Sequence, residues 1–374
     1  MPAETALRLV QALDHQLPRL AEAADAQETD AEAWRTVWSD PQMRAISYVG
    51  VPDAITPYRF AEAGLGAECG HALHLALVER LSRGAASAMM ALPASAMSTR
   101  AVLRLGTEDQ IERFFRPFSD GAAWTFFGVT EPAVGSDAGQ CRMRLDPAGS
   151  GWFLTGEKTL IGGATLAQRG LVLATDRTQL RLAMVMQAAD GRAFCAEKLP
   201  MTGLCGAGIS HLRFDGLAIG AEDILAIDSR RPVMLTLADV FEKHRPMVGA
   251  MALGTGRAML DRLAEGGATG GFDDLLREHG ALLRRMVGLG VQADTGPLPV
   301  HAVSQFKRQA TAFTDRVRAR IAARAPAILL ADRRMRRLWR DAGAFEYMEG
   351  TTAIHSLNAY RDYVTREVFH DRAV

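Results

Sequence analysis

The sequence changes texture twice, and those two changes constrain the fold more than any other feature. Up to about residue 120, apolar residues recur at helical spacing, as in Leu7, Val10, Leu13, Leu17 and Leu20. Near Trp124 the run Trp124-Thr125-Phe126-Phe127-Gly128-Val129-Thr130 is aromatic and β-branched, as strands are. Helical texture returns at about residue 232, with one long helix expected over Thr236 to Leu263. The pattern predicts an α+β multidomain chain: a helical domain over 1–120, a β domain over 121–228 and a helical domain over 229–374.

Local signals add detail. Thr107 and Gln110 are spaced as a capping box. Further strands are expected at Trp152–Thr155, Gly170–Thr175, Leu180–Val185 and His211–Phe214, with turns over Asp146–Gly151. On the long helix, Gly249, Ala250, Ala252, Gly254, Gly256 and Ala258 predict close helix packing. A glycine-rich loop is expected over Glu265–Gly271, and a last helix from Thr352.

Composition removes several classes of function. The 374 residues carry 43 basic and 43 acidic side chains, and no long basic run, which argues against nonspecific nucleic-acid binding. No stretch is long and apolar enough to predict a membrane span. The first residues lack signal-peptide texture, and four cysteines without paired spacing predict a reduced, cytoplasmic protein. The scattered histidines hold no HExxH pair, so no metal site is expected.

Four segments, in order, carry a resemblance. Phe126 to Asp137 contains Thr130-Glu131-Pro132-Ala133-Val134-Gly135-Ser136-Asp137, which resembles the TEPxxGSD signature of the acyl-CoA dehydrogenase family. Gly156-Glu157-Lys158-Thr159-Leu160-Ile161-Gly162 resembles its G-x-K-x-W-I-T strand. Phe241-Glu242-Lys243-His244-Arg245-Pro246 resembles its F-x-x-x-R helix start. Arg340-Asp341-Ala342 and Met348-Glu349-Gly350-Thr351-Thr352 resemble its RDA and YEGT ending. The resemblance implies a helical N-terminal domain, a middle β-barrel and a C-terminal four-helix bundle. It also implies FAD between barrel and bundle, and a homodimer or homotetramer. In that family a glutamate takes the α-proton of an acyl thioester, and the β-hydrogen leaves as hydride to the flavin.

By the same resemblance Glu349 is the candidate base. A thioester α-proton is weakly acidic, so its base needs a dry site and a raised pKa; Tyr347 and Met348 are expected to give apolar cover. The bland alternative is a carboxylate that serves the helix start. Glu242 is the fallback base. Arg245 is expected either to position Glu349 or to pair with Glu242 or Asp239. His244 beside it reads as a solvated or satisfied side chain, and His355 as a cofactor contact or a surface residue. The expected cofactor contacts are Thr130, the backbone of Phe127 and Val129, Gly135 for close backbone approach, Ser136, Leu160, Ile161, Gly162 and Thr351.

Three departures from the family pattern matter. Leu160-Ile161-Gly162 replaces Trp-Ile-Thr, which removes an aromatic wall and a hydroxyl donor to the flavin. The loop after the long helix has no arginine, and the Q-x-x-G-G turn is replaced near Ala325–Leu330. Nine arginines between Arg316 and Arg340 read as a substitute anchor, a docking face for an acidic carrier protein, or a solvated helix face. The resulting expectation is FAD-dependent α,β-dehydrogenation of an acyl-CoA or acyl-carrier-protein thioester, with electron-transferring flavoprotein or oxygen as acceptor. The alternatives are a flavin oxidase or monooxygenase, and a non-redox thioester- or partner-binding protein that holds little FAD.

Overall fold

The computed structural model describes the chain apart from residues 27–32, 57, 118–123, 136, 227–232, 268–269 and 371–374, with the backbone alone at 366–370. Both expected domain boundaries fall in the stretches outside the described residues. Among the described residues, seven helices precede the sheet: α1 (Ala3–Leu9), α2 (Leu17–Ala26), α3 (Ala33–Trp38), α4 (Pro41–Ser47), α5 (His71–Met90), α6 (Ala96–Leu105) and α7 (Glu108–Phe115). The strands are β1 (Trp124–Gly128), β2 (Arg144–Ala148), β3 (Gly151–Ile161), β4 (Ala167–Thr175), β5 (Leu180–Val185), β6 (Phe194–Lys198), β7 (Ser210–Gly220) and β8 (Ile224–Leu225). After them come α8 (Val233–Glu265), α9 (Asp273–Thr295), α10 (Val300–Arg324), α11 (Pro326–Ala331), α12 (Arg333–Ala342) and α13 (Thr352–His370). None of the described helices is long and apolar enough to cross a membrane.

The middle strands form one eight-stranded sheet in the order β6-β7-β3-β2-β4-β5-β8, with β1 added parallel to β4. Alternate residues of β1, β4 and β5 enter two different cores. Phe126, Val172 and Ala183 face one, and Phe127, Leu171 and Leu182 face the other. Both faces of these strands are therefore covered, which explains their unbroken apolar runs.

Two readings of the sequence change here. Asp146-Pro147-Ala148, expected in a turn, belongs to β2; the turn is Gly149-Ser150 alone, and Pro147 pairs with Trp152 near the hairpin end. β6 was not anticipated, because Phe194–Lys198 is short and half exposed and lacks an apolar alternation. The capping box is present, with Thr107 Oγ1 accepting from Gln110 N–H and Gln110 Oε1 accepting from Thr107 N–H.

Small residues on α8 do bring helices together. A Cβ added at Gly254 would stand 2.1 Å from the carbonyl oxygen of Glu79 on α5, and one at Gly249 would stand 2.5 Å from the ring of Phe306 on α10. Gly254→Ala is expected to destabilise the fold by roughly 1–3 kcal/mol or more, since the opposing atom is backbone and cannot rotate away. Gly288→Ala on α9 meets open space and is expected to stabilise by about 0.5–1 kcal/mol. Chemical denaturation of the two variants checks the contrast.

Candidate active site

A cavity of about 1180 Å³ lies where the sheet meets α5, α8 and the loop before α13. The segments that carried the resemblance converge on it from three parts of the chain. Phe127, Val129, Thr130, Gly135, Leu160, Ile161 and Gly162 line it, as do Glu242, Arg245 and Glu349. Ser136 lies outside the described residues. Thr351 does not line the cavity; its hydroxyl lies 3.5 Å from Ile354 N–H at the start of α13.

Strand β1 has one partner, β4, so its other edge is open to other groups. Thr125 N–H on that edge donates to Pro93 O at 3.0 Å. Strand alternation turns the backbone of Phe127 the same way. The segment just beyond is held from behind. Glu131 Oε1 accepts from Lys158 Nζ at 2.8 Å and from Met143 N–H at 3.1 Å, while Oε2 accepts from Arg142 N–H at 2.9 Å. Lys158 also donates to Val129 O at 3.0 Å and is fully buried. Burial pushes the Glu131 carboxyl up, but the hydrogen bonds from Lys158, Cys141 and Arg142 outweigh it and leave the group below its usual range. The Cys141 thiol, desolvated beside Glu131, is pushed up to about 11 and is not a nucleophile. Glu131 and Lys158 thus build the site without facing it.

Leu160 shows how the strand aims a side chain. The β3–β7 register slips between Lys158 and Ile161, and Leu160 there takes a left-handed φ of 59°. Such a bulge re-aims a side chain, and Leu160 is left 54% exposed on the cavity wall. At Gly162 an added Cβ would meet Met90 O at 3.4 Å, an ordinary contact, so packing does not enforce the missing side chain. Gly135 is left-handed and opens on free space. A Cβ there would meet nothing within 4 Å, and glycine is required by its φ of +63° rather than by close packing within the chain.

Two glutamates of the loop before α13 take different roles. Glu346 serves the helix start: its carboxylate accepts from Thr352 N–H at 2.7 Å and from Thr352 Oγ1 at 2.6 Å. Glu349 is thereby released from the capping role. It sits at a left-handed φ of 51°, followed by Gly350 at 106°, and faces the cavity. A non-glycine residue held in that region marks stored strain, which collects at functional sites. Oε1 of Glu349 contacts His244 Nδ1, and Oε2 is buried with no partner. Arg245 Nε and both ring nitrogens of His355 are among the other polar atoms buried without partners. Each such orphan costs about 1–3 kcal/mol if nothing occupies the space before it.

Several expected neighbours behave differently. Tyr347 is 74% exposed and gives Glu349 no cover within this chain, whereas Met348 packs on the core. Arg245 makes no ion pair within 4 Å among the described residues; it lies over the Phe241 ring at 5.6 Å, and Asp239 pairs with Arg100 at 2.8 Å instead. His355 is buried rather than on the surface, and burial pushes it down to about 4, so it is neutral. Burial pushes the Glu242 carboxyl up. The arginine-rich stretch is largely matched internally. Arg316 pairs with Glu278, Arg320 with Asp274, and Arg334 and Arg337 with Asp25. Arg318 and Arg340 line the cavity.

Two residues here escaped the sequence reading. His244 was read as bland because its neighbours in sequence are charged, yet it faces Glu349 across the fold. Lys307, on α10, is fully buried and donates to Glu346 O at 3.1 Å and Gly350 O at 2.8 Å, pinning both ends of the Glu349 loop. A lone lysine in a helical pattern offered no signal of this.

Burial pushes Lys307 from 10.5 down to about 8. Below pH 8 folded and unfolded chains both carry the proton, and the folded state bears its desolvation cost. Between pH 8 and 10.5 the unfolded chain holds more protons, so this group makes stability rise with pH, by at most roughly 3 kcal/mol. Denaturation at pH 7.5 and pH 10 should show this increment in the wild type and not in Lys307→Met.

Comparison with known proteins places the fold. The family model described as the acyl-CoA dehydrogenase middle domain matches residues 126–217. A 3-(aryl)acrylate reductase of Clostridium sporogenes is 28% identical over 203 residues, 52% of this chain and 53% of that protein. The mitochondrial short-chain specific acyl-CoA dehydrogenase of Bos taurus is 24% identical over 353 residues, 86% of this chain and 83% of that protein. A glutaryl-CoA dehydrogenase from Mycobacterium smegmatis, solved in complex with FADH2, superposes with a TM-score of 0.80 at 17% identity, covering 97% of this chain and 94% of that one. Residues 126–217 thus match an acyl-CoA dehydrogenase middle domain, and the chain has the fold of the acyl-CoA dehydrogenases over nearly its whole length. The match to the first of these relatives spans about half of that protein's length.

Proposed function

We propose that this protein is an FAD-dependent α,β-dehydrogenase of acyl thioesters, carried on CoA or on an acyl carrier protein. The observation that carries the reading is Glu349: a strained, half-buried carboxylate whose Oε2 is buried and without a partner, set in the wall of a large, mostly apolar cavity. The cavity residues fit a flavin. The open edge of β1 at Phe127, the hydroxyl of Thr130 and the outturned Leu160 present backbone donors, a polar group and an apolar surface on one wall. Arg318 and Arg340 supply positive charge elsewhere on the same wall and replace the arginine missing from the loop after α8. Bound FAD supplies the two-electron acceptor for the substrate β-hydrogen.

The chain's own residues do the rest. Glu349 Oε2 accepts the α-proton. The backbone N–H of Glu349 has no protein acceptor among the described residues, and in this reading it donates to the thioester oxygen as negative charge develops there. Met247, Met251 and Val78 line the cavity with apolar surface, which keeps the carboxylate dry. Lys307 holds the loop that carries it. The proposed setting is a cytoplasmic homodimer or homotetramer, with electron-transferring flavoprotein or oxygen as acceptor. One relative is named a 3-(aryl)acrylate reductase, so the direction of electron flow is part of the test.

The test is a spectrum of the purified protein before and after FAD addition and gel filtration. Retained two-banded flavin absorbance is expected, followed by bleaching on anaerobic titration with acyl-CoA or carrier-bound thioesters. A colourless protein that stays colourless with excess FAD sinks this reading and leaves a non-redox binding role. Bleaching followed by rapid reoxidation in air selects an oxidase.

A further inference from the structure

A second cavity of about 340 Å³ adjoins the first, and Ala96, His74, His244 and Met247 line both. It reaches the surface, since the exposed residues Gly50 and Arg104 also line it. His244 therefore stands between the Glu349 cavity and a separate route to solvent. Its Nδ1 contacts Glu349 Oε1, while Glu349 Oε2 has no partner. The two oxygens of one carboxylate are thus made unequal by one neighbour.

We propose that His244 is the positioning residue of the Glu349 base: its Nδ1–H holds Oε1 so that Oε2 alone receives the substrate proton. The inference rests on Glu349 being the base. The step is a proton transfer with no oxidant or reductant: the Cα–H bond breaks and leaves its electron pair on the acyl group as the thioester enolate, the Oε2–H bond forms from a lone pair of the carboxylate, and the Nδ1–H···Oε1 bond persists. A carboxylate with a free lone pair on each oxygen has two orientations to offer. One with Oε1 committed to a donor offers one, and so reduces the misorientation that costs rate. The charged and titratable groups around His244 are arranged to keep this bond. On α5, His74 is pushed down to about 3 by burial, so it is neutral and adds no repelling charge, and His71 is tied to Asp294. On α6, Arg100 is paired with Asp239 of α8. Lys243, adjacent on α8, points to the carbonyls of Ala293 and Gly296. Glu242 and Arg245, also on α8, and Glu349 are the remaining charges at the first cavity's wall near it.

Two measurements test this. The first needs no substrate. In holoenzyme labelled with 15N-histidine, the Nδ1–H resonance assigned by its loss in His244→Asn is expected far downfield, and Glu349→Ala should shift it. A resonance unmoved by Glu349→Ala overturns the pairing, whatever the enzyme's reaction. The second is single-turnover flavin reduction by the saturated acyl-CoA thioester that bleaches the wild type best in a series starting from butanoyl-CoA. His244→Ala should reduce the rate constant by about 10- to 100-fold, with the thioester Kd changed less than about twofold. His244→Asn, whose side-chain N–H replaces Nδ1–H, should recover most of that rate. An alanine variant as fast as wild type, or an asparagine variant no faster than alanine, overturns the proposal. If no thioester bleaches the wild type, the dehydrogenase reading fails, and the resonance measurement still decides the His244–Glu349 pair.

Discussion

Glu349→Gln is expected to slow thioester-dependent flavin reduction by about 10²- to 10⁴-fold, with the spectrum of bound flavin unchanged. Glutamine keeps the volume of the side chain and an oxygen for His244 Nδ1–H, so the loop and its contact survive. What is lost is the ability to accept a proton. The free Oε2 of the wild type is buried and has no partner to give up, so no bond must break before it acts. Single-turnover reduction separates this loss from weaker binding. The rival base is Glu242, which lines the same cavity and is pushed up by burial. Glu242→Gln run in parallel decides between them: if it alone abolishes reduction, the base lies on α8 and the Glu349 loop serves only to shape the cavity.

Lys158→Met is expected to cost about 3–5 kcal/mol of folding stability, the range for removing one partner of a buried ion pair. The methionine fills the space of the lysine stem but leaves Glu131 charged and without its cation. Glu131 also accepts from the backbone of Arg142 and Met143, so it cannot turn away to water without breaking those bonds. The damage should reach the cavity, because Lys158 also holds the carbonyl of Val129, next to Thr130. Reduced FAD retention after gel filtration should therefore accompany the lower denaturation midpoint. A loss below about 1 kcal/mol would mean that water or relaxation screens the pair, as at a surface.

These two variants mark different kinds of legibility. Glu349 and Lys158 both sit in segments whose resemblance to a known family could be read directly, yet only one role could be assigned. A carboxylate after an aromatic and a methionine is compatible with capping or with catalysis. The choice depends on Glu346, three residues earlier, taking the cap. That choice follows from where α13 begins, which is a matter of backbone geometry. The role of Lys158 depends on a partner 27 residues away across the sheet. His244 and Lys307 were harder still, because each meets its partner over a long stretch of chain, 105 residues for His244 and Glu349.

The sequence by itself determined the order of helices, strands and helices, the capping box at Thr107, the small-residue face of α8 and the segments that line the cavity. The first three are consequences of local periodicity, backbone preference and residue size, which act over a few neighbours; the cavity-lining segments were legible through their resemblance to a known family. The tertiary structure alone decided which glutamate is free, which oxygen of it is held, and how Leu160 turns outward. It also decided that most of the arginines near the C-terminus are already paired. Such outcomes depend on burial and on contacts between distant segments, and both exist only once the chain has closed on itself.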